Sequence, residues 1–363
     1  MPRLRELFRF RERRIEGIGT GIPQYIPAKL ETRGFKLKFY DLTDTKIGEI
    51  GSDVKRGRIS EIKFELLPLG CGAFSFVIDD FCDLFDITYR TRVDIHPYFD
   101  TSPWFTGFIQ NLPQPGQERP YEYTGFGFYE QLDWVTVTDS YESQDVAEIV
   151  KDIIQNTVAP NTQIVYNAAK VETTGYVVTK VDFDHVYAKD AIQTLADMAQ
   201  DHEFGVDDSR EFYLRPIETD VNFSFWVGKH CQDIKIEKEP HAIRNKLYIK
   251  GGEIQAGGSN IIGSVQDATS ISTYGLREEI ISVPEAIDSD DAIQWAGQIL
   301  AQKKDPKVRA KIMNIMFDTT KAKMIASGKV RVTTHEASEY QLFIKKIDYS
   351  ISPSGILGNI ELE

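Results

Sequence analysis

Side chains able to bind a metal are spread thinly along the chain. The six histidines occur singly, none forms an H-E-x-x-H motif, and none lies at metal-ligand spacing from a cysteine. The nearest approach to a metal cluster is Asp182, Asp184 and His185. On an alternating strand the two aspartates share one face while His185 points away, which favours a solvated strand edge. We therefore expect no metal and no other cofactor.

The sequence also lacks the motifs of nucleophilic and phosphate chemistry. It has no G-x-S-x-G motif. The glycine run at 17–21 lacks a preceding apolar strand and a Lys-Ser/Thr pair, so a flexible linker is favoured over a phosphate loop. The 55 Asp and Glu residues leave a hydrolytic carboxylate pair open, because sequence alone cannot place two of them across a cleft. We expect no enzymatic activity, with a polysaccharide hydrolase as the alternative.

An arginine-rich start is the one charge run with an evident binding role. Residues 1–28 read as a basic arm with a glycine-rich exit, rather than as part of a core. The arm could bind the acidic surface of a partner or nucleic acid, or act as a solubilising tail. The candidate partner-binding residues are Arg3, Arg5, Arg9, Arg11, Arg13 and Arg14.

Composition sets the class of protein. A chain of 363 residues with 41% hydrophobic residues can bury two or more cores. Its 21 Phe and 16 Tyr favour strands over a helical bundle. The net charge of -13 argues against nucleic-acid binding over the whole surface. Three distant cysteines predict no disulfide framework, and we expect neither a membrane span nor a signal peptide.

Alternating apolar residues predict a sheet or small barrel in the first third of the chain. The predicted strands lie at 35–40, 62–67, 74–78, 87–93, 104–109 and 121–126.

The pattern then changes to an α+β unit. A helix at 144–157, capped by Ser143, has apolar residues at helical spacing. Short strands at 163–166 and 176–183 follow, and a second helix at 190–200 leads into a hairpin at 203–216.

The last part of the chain returns to strands. They are predicted at 234–237, 246–250, 311–317, 329–333, 340–351 and 356–362. Residues 255–275 are rich in Gly and Ser and predict a loop. A third helix at 289–304, capped by Ser289, ends at Asp305-Pro306.

This order of elements resembles the tail hub proteins of tailed bacteriophages and contractile injection systems, of the baseplate-hub or late-control type. Three stretches carry the resemblance. They are 104–109 (WFTGFI) with 121–126 (YEYTGF) and helix 145–156; helix 190–200 with its hairpin to 212–216 (FYLRP); and 233–236 (DIKI) with 243–252 (IRNKLYIKGG).

The resemblance implies a mainly β fold with α+β insertions, in which one chain holds two tail-tube-like β-barrels. The implied divisions are an arm at 1–28, a first barrel at 29–138, an α+β insertion at 139–232, a second barrel at 233–265 plus 308–363, and a loop and helical insertion at 266–307. Three copies would form a ring that joins the tail tube to the central spike.

The resemblance also implies partners and a location. The expected partners are further copies in a homotrimer, a tail tube or distal tail protein, a separate central spike protein, and a tape-measure protein. DNA would be met only in transit, and the acidic balance suits a channel that does not trap it. The expected location is the virion tail, assembled in the bacterial cytoplasm. The alternatives are a cell-wall or polysaccharide hydrolase of a phage tail, and a host-receptor or carbohydrate-binding tail protein.

Overall fold

The chain is mainly β, with its helices in the middle, as the sequence predicts. The computed structural model describes residues 35–51, 59–78, 86–97, 102–113, 120–231, 234–250, 261–283, 286–316, 324–334, 338–352 and 355–363. None of the helices in these ranges is long and apolar enough to cross a membrane.

Seven strands form the first part of the fold. They are β1 (Phe35–Tyr40), β2 (Lys46–Gly51), β3 (Ile59–Leu67), β4 (Gly70–Ile78), β5 (Arg92–Pro97), β6 (Phe105–Asn111) and β7 (Tyr121–Gly127). In β1 the side chains of Phe35, Leu37 and Phe39 are buried, while the two lysines between them lie on the other face. This period of two directs every second side chain into the core.

The middle of the chain combines helices with short strands. After a 3₁₀ segment (Phe128–Asp133) come β8 (Thr136–Asp145), α1 (Val146–Asp152), a π-helical turn (Ile153–Val158), a second 3₁₀ segment (Ala168–Lys170), β9 (Val177–Tyr187), α2 (Ala188–Ala199), β10 (His202–Val206), β11 (Phe212–Pro216) and β12 (Val221–Trp226).

The last part contains a second helical excursion between strands. In order, it consists of β13 (Ile234–Glu239), a 3₁₀ segment (Pro240–Ala242), β14 (Lys246–Lys250), β15 (Ile261–Gln266), α3 (Ala268–Tyr274), β16 (Glu278–Ser282), β17 (Ala286–Ile287), α4 (Ser289–Lys303), β18 (Lys307–Met316), β19 (Lys329–Thr333), β20 (Glu339–Ser352) and β21 (Gly355–Leu362).

One large sheet unites the two ends of the chain. Its main path runs β13-β18-β21-β20-β3-β4-β7-β6-β5-β1-β2, and in the described residues this path is open rather than closed on itself. The halves meet where β20 pairs antiparallel with β3, from Ile347 opposite Leu66 to Ile351 opposite Ile62. Strand β19 extends the sheet from β20 and carries β12 as a parallel neighbour.

Aromatic side chains fill the core at this junction. The ring of Tyr349 stacks on that of Phe64, with centroids 4.8 Å apart, and lies 5.6 Å from the ring of Trp104. All three residues are buried. Buried aromatic pairs contribute about 0.5–1.5 kcal/mol beyond the area that they bury, so these contacts stabilise the junction of the halves.

The hairpin of β10 and β11 attaches the middle region to the large sheet. Val206 of β10 pairs in parallel with Gly70 of β4, and the Val206 amide donates to the carbonyl of Leu69 at 3.0 Å. Gly70 has a φ of +122°, and a Cβ there would meet the Val206 carbonyl oxygen at 2.0 Å. Only glycine fits both the conformation and the close approach.

An ion-pair cluster adds a second attachment at the turn after β1. Arg210, at the tip of the hairpin, donates to Asp44 at 2.7 Å. Arg92 donates to the other oxygen of Asp44 at 3.1 Å and binds Asp94 through two bonds of 2.9 and 2.7 Å. The two bonds to Asp94 fix the orientation of the Arg92 guanidinium group. Because Asp44 binds both Arg92 and Arg210, the hairpin is held to the sheet in a defined orientation.

Two smaller sheets accompany the helices. One has the order β17-β9-β8, and the other has the order β15-β14-β16. The predicted second barrel included residues 246–250 and 261–265, but these strands pair with each other and with β16 instead. Leu247 and Ile249 of β14 are buried, and Ile249 belongs to the core that contains α2 and α4. This apolar face explains why β14 separates from β13.

Asp291 joins the two helical excursions. This α4 residue is 1% exposed, and its carboxylate accepts bonds from the Tyr176 hydroxyl at 2.8 Å and from the amides of Thr179 and Lys180 at 2.8 and 3.1 Å. Burial and the bond to Asp291 raise the pKa of Tyr176. Because a buried carboxylate needs such donors, α4 is held at one position along β9.

The predicted helices are confirmed, but their caps differ. The first helix is capped by Asp145, whose carboxylate accepts from the amide of Ala147 at 2.8 Å, and not by Ser143. Pairing with β9 continues to Asp145 and keeps Ser143 within β8. The helix at 289–303 is capped by Asp288, which accepts from the amide of Asp290 at 2.9 Å, and not by Ser289.

Several strand predictions were wrong in detail. The strand predicted at 87–93 begins only at Arg92, after a turn in which Arg90 has a φ of 65°. Residues 163–166 form a single bridge, from Val165 to Glu211, rather than a strand. The loop predicted at 255–275 contains β15 and α3, and residues 251–260 lie outside the described residues.

We expect Asp291→Ala to lower the free energy of unfolding by about 2–4 kcal/mol, because three donors lose their buried acceptor. The matched control is Asp290→Ala, since Asp290 is its exposed neighbour. Urea unfolding followed by tryptophan fluorescence measures both. Equal, small shifts in the two variants would show that Asp291 does not join the excursions.

Candidate interaction surfaces

The partner-binding residues proposed from the sequence lie outside the described residues. They are Arg3, Arg5, Arg9, Arg11, Arg13 and Arg14. Their role in partner binding stays a prediction.

The weak metal candidate does not form a ligand cluster. Asp182 accepts a hydrogen bond from Ser140 and lies 3.2 Å from the Lys180 ammonium group, and these contacts lower its pKa. His185 is exposed and bonds instead to Asp184, with 2.7 Å between Nδ1 and Oδ1. Across the described residues, no group of three or more His, Cys, Asp or Glu side chains is placed to hold a metal.

A cleft of about 410 Å³ lies between the large sheet and the hairpin, and several carboxylates line it. It is therefore a candidate location for a hydrolytic carboxylate pair. Lys170 in this cleft binds both Asp207 and Glu211. Its hydrogen bond, with that from Asn167, lowers the pKa of Glu211. A general acid of a glycosidase needs a raised pKa, so this carboxylate is suited to an ion pair rather than to acid catalysis.

The negative charge is concentrated in one part of the chain. Residues 139–232 contain 17 Asp and Glu but only 7 Lys and Arg, a net charge of -10 out of the total of -13. On strand β8, which pairs only with β9 in the described residues, Asp139 and Glu142 are exposed. The two residues are three positions apart on an extended strand, so Asp139 lies on the side of Tyr141 and Glu142 lies on the opposite side, facing Lys180.

The outer face of β13, β18, β21, β20 and β3 carries charges of both signs in pairs. The cross-strand contacts are Arg309 with Glu239 at 2.9 Å, Lys311 with Glu361 at 2.7 Å and Lys346 with Glu65 at 2.7 Å, and Lys346 also lies 3.1 Å from Asp348 of its own strand. We call it the charge-paired face. A hollow of about 420 Å³ lies over it.

Cross-strand register creates this face, and sequence alone does not give register. Lys311 lies opposite Glu361 on β21, which it binds, and opposite Lys235 on β13, which binds Glu237 of its own strand instead. Opposite charges at facing positions attract, and each pair leaves little free positive charge on the surface. Predicting the face would have required the pairing of β18 with β13 and β21, for which the sequence pattern carries no signal.

One carboxyl on the helices has an unusual environment. Asp197, in the last turn of α2, accepts a hydrogen bond from Gln193 at 2.9 Å. Burial raises its pKa to about 6, and the bond from Gln193 opposes the shift only in part. A negative charge at the C-terminal end of a helix is also unfavourable with the helix dipole.

The overall fold has clear counterparts among solved structures. The 43 kDa tail protein of prophage MuSo2 from Shewanella oneidensis aligns with a TM-score of 0.65 at 15% identity, covering 91% of this chain and 98% of that one. A tail protein from Neisseria meningitidis aligns at 0.63 and 12% identity, covering 91% and 96%. Prophage tail protein gp18 from Listeria monocytogenes aligns at 0.58 and 12% identity, covering 91% and 94%.

These similarities establish the fold. The resemblance drawn from the order of elements is confirmed at the level of the fold, which this chain shares with phage tail proteins. No protein-family model matches the sequence, and a comparison with curated proteins finds no match.

We expect the contribution of Asp197 to the stability of the protein to fall as the pH rises from about 4 to about 7. The folded state binds this proton more tightly than the unfolded chain, so its contribution is present at acid pH and is lost as the pH passes about 6. Asp197→Asn should therefore stabilise the protein at neutral pH by up to about 3 kcal/mol and have little effect near pH 4.

Melting temperatures across this pH range provide the measurement. The control is Asp184→Asn, because the Asp184 side chain is 91% exposed and should change little. An Asp197→Asn variant with the pH profile of the unmodified protein would contradict the assignment.

Proposed function

We propose that this chain is a structural component of a phage-type tail, and specifically the hub between the tail tube and the central spike. The observation that carries the proposal is the match to the Shewanella tail protein over nearly the whole of both chains. Local motif matches would not extend over 91% and 98% of two chains at a TM-score of 0.65. A structural role also agrees with the ion pairs that Lys170 forms with Asp207 and Glu211 at this cleft.

The hub proposal includes a trimeric ring with two barrel-like units per chain. The first unit would be residues 29–138, and the second would use 233–245 and 308–363, because 246–250 and 261–266 form a separate sheet with β16 instead. The insertions at 139–232 and 246–307 would lie outside the ring. Support comes from the large sheet, in which strands from both ends of the chain are joined edge to edge by β3 and β20. In such a ring, the two units of each chain would lie next to each other.

The charge-paired face is the part of the sheet best suited to line the central path. Free lysines and arginines would bind DNA phosphates and slow its passage. On this face the cations at Arg309, Lys311 and Lys346 are each paired with a carboxylate. The proposed partners are the tail tube or distal tail protein, the spike and the tape-measure protein, with DNA in transit. The proposed site is the virion tail, assembled in the bacterial cytoplasm.

Native mass spectrometry of the full chain, alone and with the products of neighbouring genes, tests the hub proposal. We expect trimers, or trimers that form only when the spike protein is added. A parallel assay on bacterial cell wall and on surface polysaccharides covers the hydrolase and receptor-binding alternatives. A stable monomer that cleaves or binds these polymers would overturn the hub.

The arginine-rich arm yields a separate expectation. Deleting residues 1–16 should leave the melting temperature within about 2 °C of the full chain, because the arm is proposed to bind partners rather than to complete a core. Co-purification with tail partners should weaken, since the deletion removes six arginines. The matched control is a full-length variant in which the six arginines are replaced with serine. A large drop in melting temperature on deletion would place the arm in the core.

A further inference from the structure

The cleft between the large sheet and the hairpin has apolar side chains in its lining. Its volume of about 410 Å³ lies within the range of sites that bind small molecules and side chains. Leu66, Leu67 and Pro68 line it from the turn between β3 and β4, and Ile325 and Ala326 line it from the segment before β19. Ile325 is 48% exposed, although it is large and apolar. The cleft therefore offers an apolar contact that the described residues leave exposed.

Negative charge predominates around the same cleft. The cations in its lining are Lys170 and Arg215. Lys170 binds two carboxylates, and Arg215 binds a third at 2.8 Å. The carboxylates that line the cleft or bind these two cations are Glu172, Glu203, Asp207, Asp208 and Glu211. Five negative charges against two positive charges give a net charge of -3, which attracts further cations.

The arginine-rich arm has the complementary composition. Six arginines and two glutamates lie between residues 3 and 14. Leucine and phenylalanine are interspersed with them, most regularly in Phe8-Arg9-Phe10-Arg11. An extended peptide presents alternate side chains to opposite sides. A peptide of this sequence would therefore place two rings against an apolar surface and two arginines against carboxylates.

The length of chain between the arm and β1 permits this contact within one molecule. Residues 17–34 separate the two, and eighteen residues span up to about 60 Å. The cleft lies near the far end of β1, because Asp208 in its lining is close to Arg210, which binds Asp44. Five steps of about 3.3 Å along β1, plus this ion pair, place the cleft on the order of 25 Å from Phe35. The tether exceeds this span and keeps the arm at a high local concentration.

We propose that residues 3–14 bind in this cleft of the same chain, with Phe8 and Phe10 on the apolar lining and the arginines beside the carboxylates. The inference goes beyond the hub function and does not depend on it. A contact confined to the surface agrees with the small change in melting temperature that is expected on deletion of the arm. The acidic surface of a tail partner would compete with the cleft for the same arginines.

Two lysines close to the cleft in sequence are the alternative source of positive charge. Lys321 and Lys323 lie outside the described residues and precede Met324, whose amide donates to the Tyr349 hydroxyl at 3.1 Å. They carry two charges against the six arginines of the arm, with only Ala322 between them. These lysines would neutralise charge without covering the apolar lining. The arm supplies both features, which favours it as the occupant.

Photo-crosslinking of the full chain tests the contact. p-Benzoylphenylalanine is introduced in place of Phe8, the dilute protein is irradiated, and the crosslinked peptides are identified by mass spectrometry. We expect the main crosslinks on residues 66–71 and 324–327. The same probe in place of Tyr274, an exposed residue of α3, is the control for random labelling. Crosslinks that are absent, spread over unrelated surfaces or concentrated outside the cleft would overturn the proposal.

Charge variants test whether the arginines and carboxylates hold the arm in place. Glu172→Lys with Asp208→Asn brings the net charge of the cleft from -3 to zero and should lower the crosslink yield at least about 5-fold. Replacing the six arginines with serine should do the same. The matched control is Glu142→Lys, because Glu142 is exposed and does not line the cleft. Yields that are unchanged in the cleft variant and in the serine variant would contradict the proposed contact.

Circular dichroism shows whether each variant keeps its fold. If the cleft variant unfolds, the serine variant still decides the question, because it changes none of the described residues.

Two further measurements separate the arm of the same chain from other occupants. Isotopically heavy and light copies are mixed before irradiation, and we expect crosslinks within single copies. Crosslinks between heavy and light copies would assign the cleft to the arm of a second copy and overturn the proposal. Lys321→Ser with Lys323→Ser should leave the yield within about 2-fold. A large rise in yield would show that these lysines occupy the cleft instead.

Discussion

The pairing of β20 with β3 is the constraint on which the rest of the structure depends. It joins residues about 280 positions apart, from Ile347 opposite Leu66 to Ile351 opposite Ile62. Without it, the two halves of the large sheet would each expose an edge and part of a shared aromatic core. Tyr349 lies at the centre of this junction, stacked on Phe64, and its hydroxyl also accepts from the amide of Met324 at 3.1 Å. Such distant pairing is slow to form, because a long loop must close before the contacts can compensate for its entropy.

Everything between the paired halves must leave the sheet and return to it. The hairpin of β10 and β11 is anchored by Gly70, and α4 is held against β9 by Asp291. The result is a division of electrostatic roles. The sheet pairs its outward charges across strands, whereas the middle region holds most of the net negative charge.

The sequence predicts the elements whose side chains alternate or repeat strongly. Phe35, Leu37 and Phe39 identify β1, and the stripe with Ala292, Trp295 and Ala296 identifies α4. Strand β8 was missed because only Val137 and Tyr141 among its ten residues are buried, so its polar edge resembles a loop. The separation of β14 from β13 was missed for another reason. Both have strand-like sequences, and only their tertiary partners assign them to different sheets.

The candidate surfaces were harder to foresee than the fold. The concentration of negative charge in residues 139–232 is visible in the sequence, but the ion pairs that neutralise part of it depend on the fold. The charge-paired face depends on strand register, and a shift of one residue would exchange its members with the core. The same dependence explains why the resemblance to tail hubs rested on the order of elements and not on a signature of residues.

Quantitative mass spectrometry of purified tails tests the central claim most directly. Particles assembled by the phage or prophage that encodes this chain would be purified, and the copies per tail would be counted against the spike and tube proteins. We expect this chain to be a constant component, in the same copy number as a trimeric spike. Its absence from purified tails that contain their spike and tube would contradict the hub account.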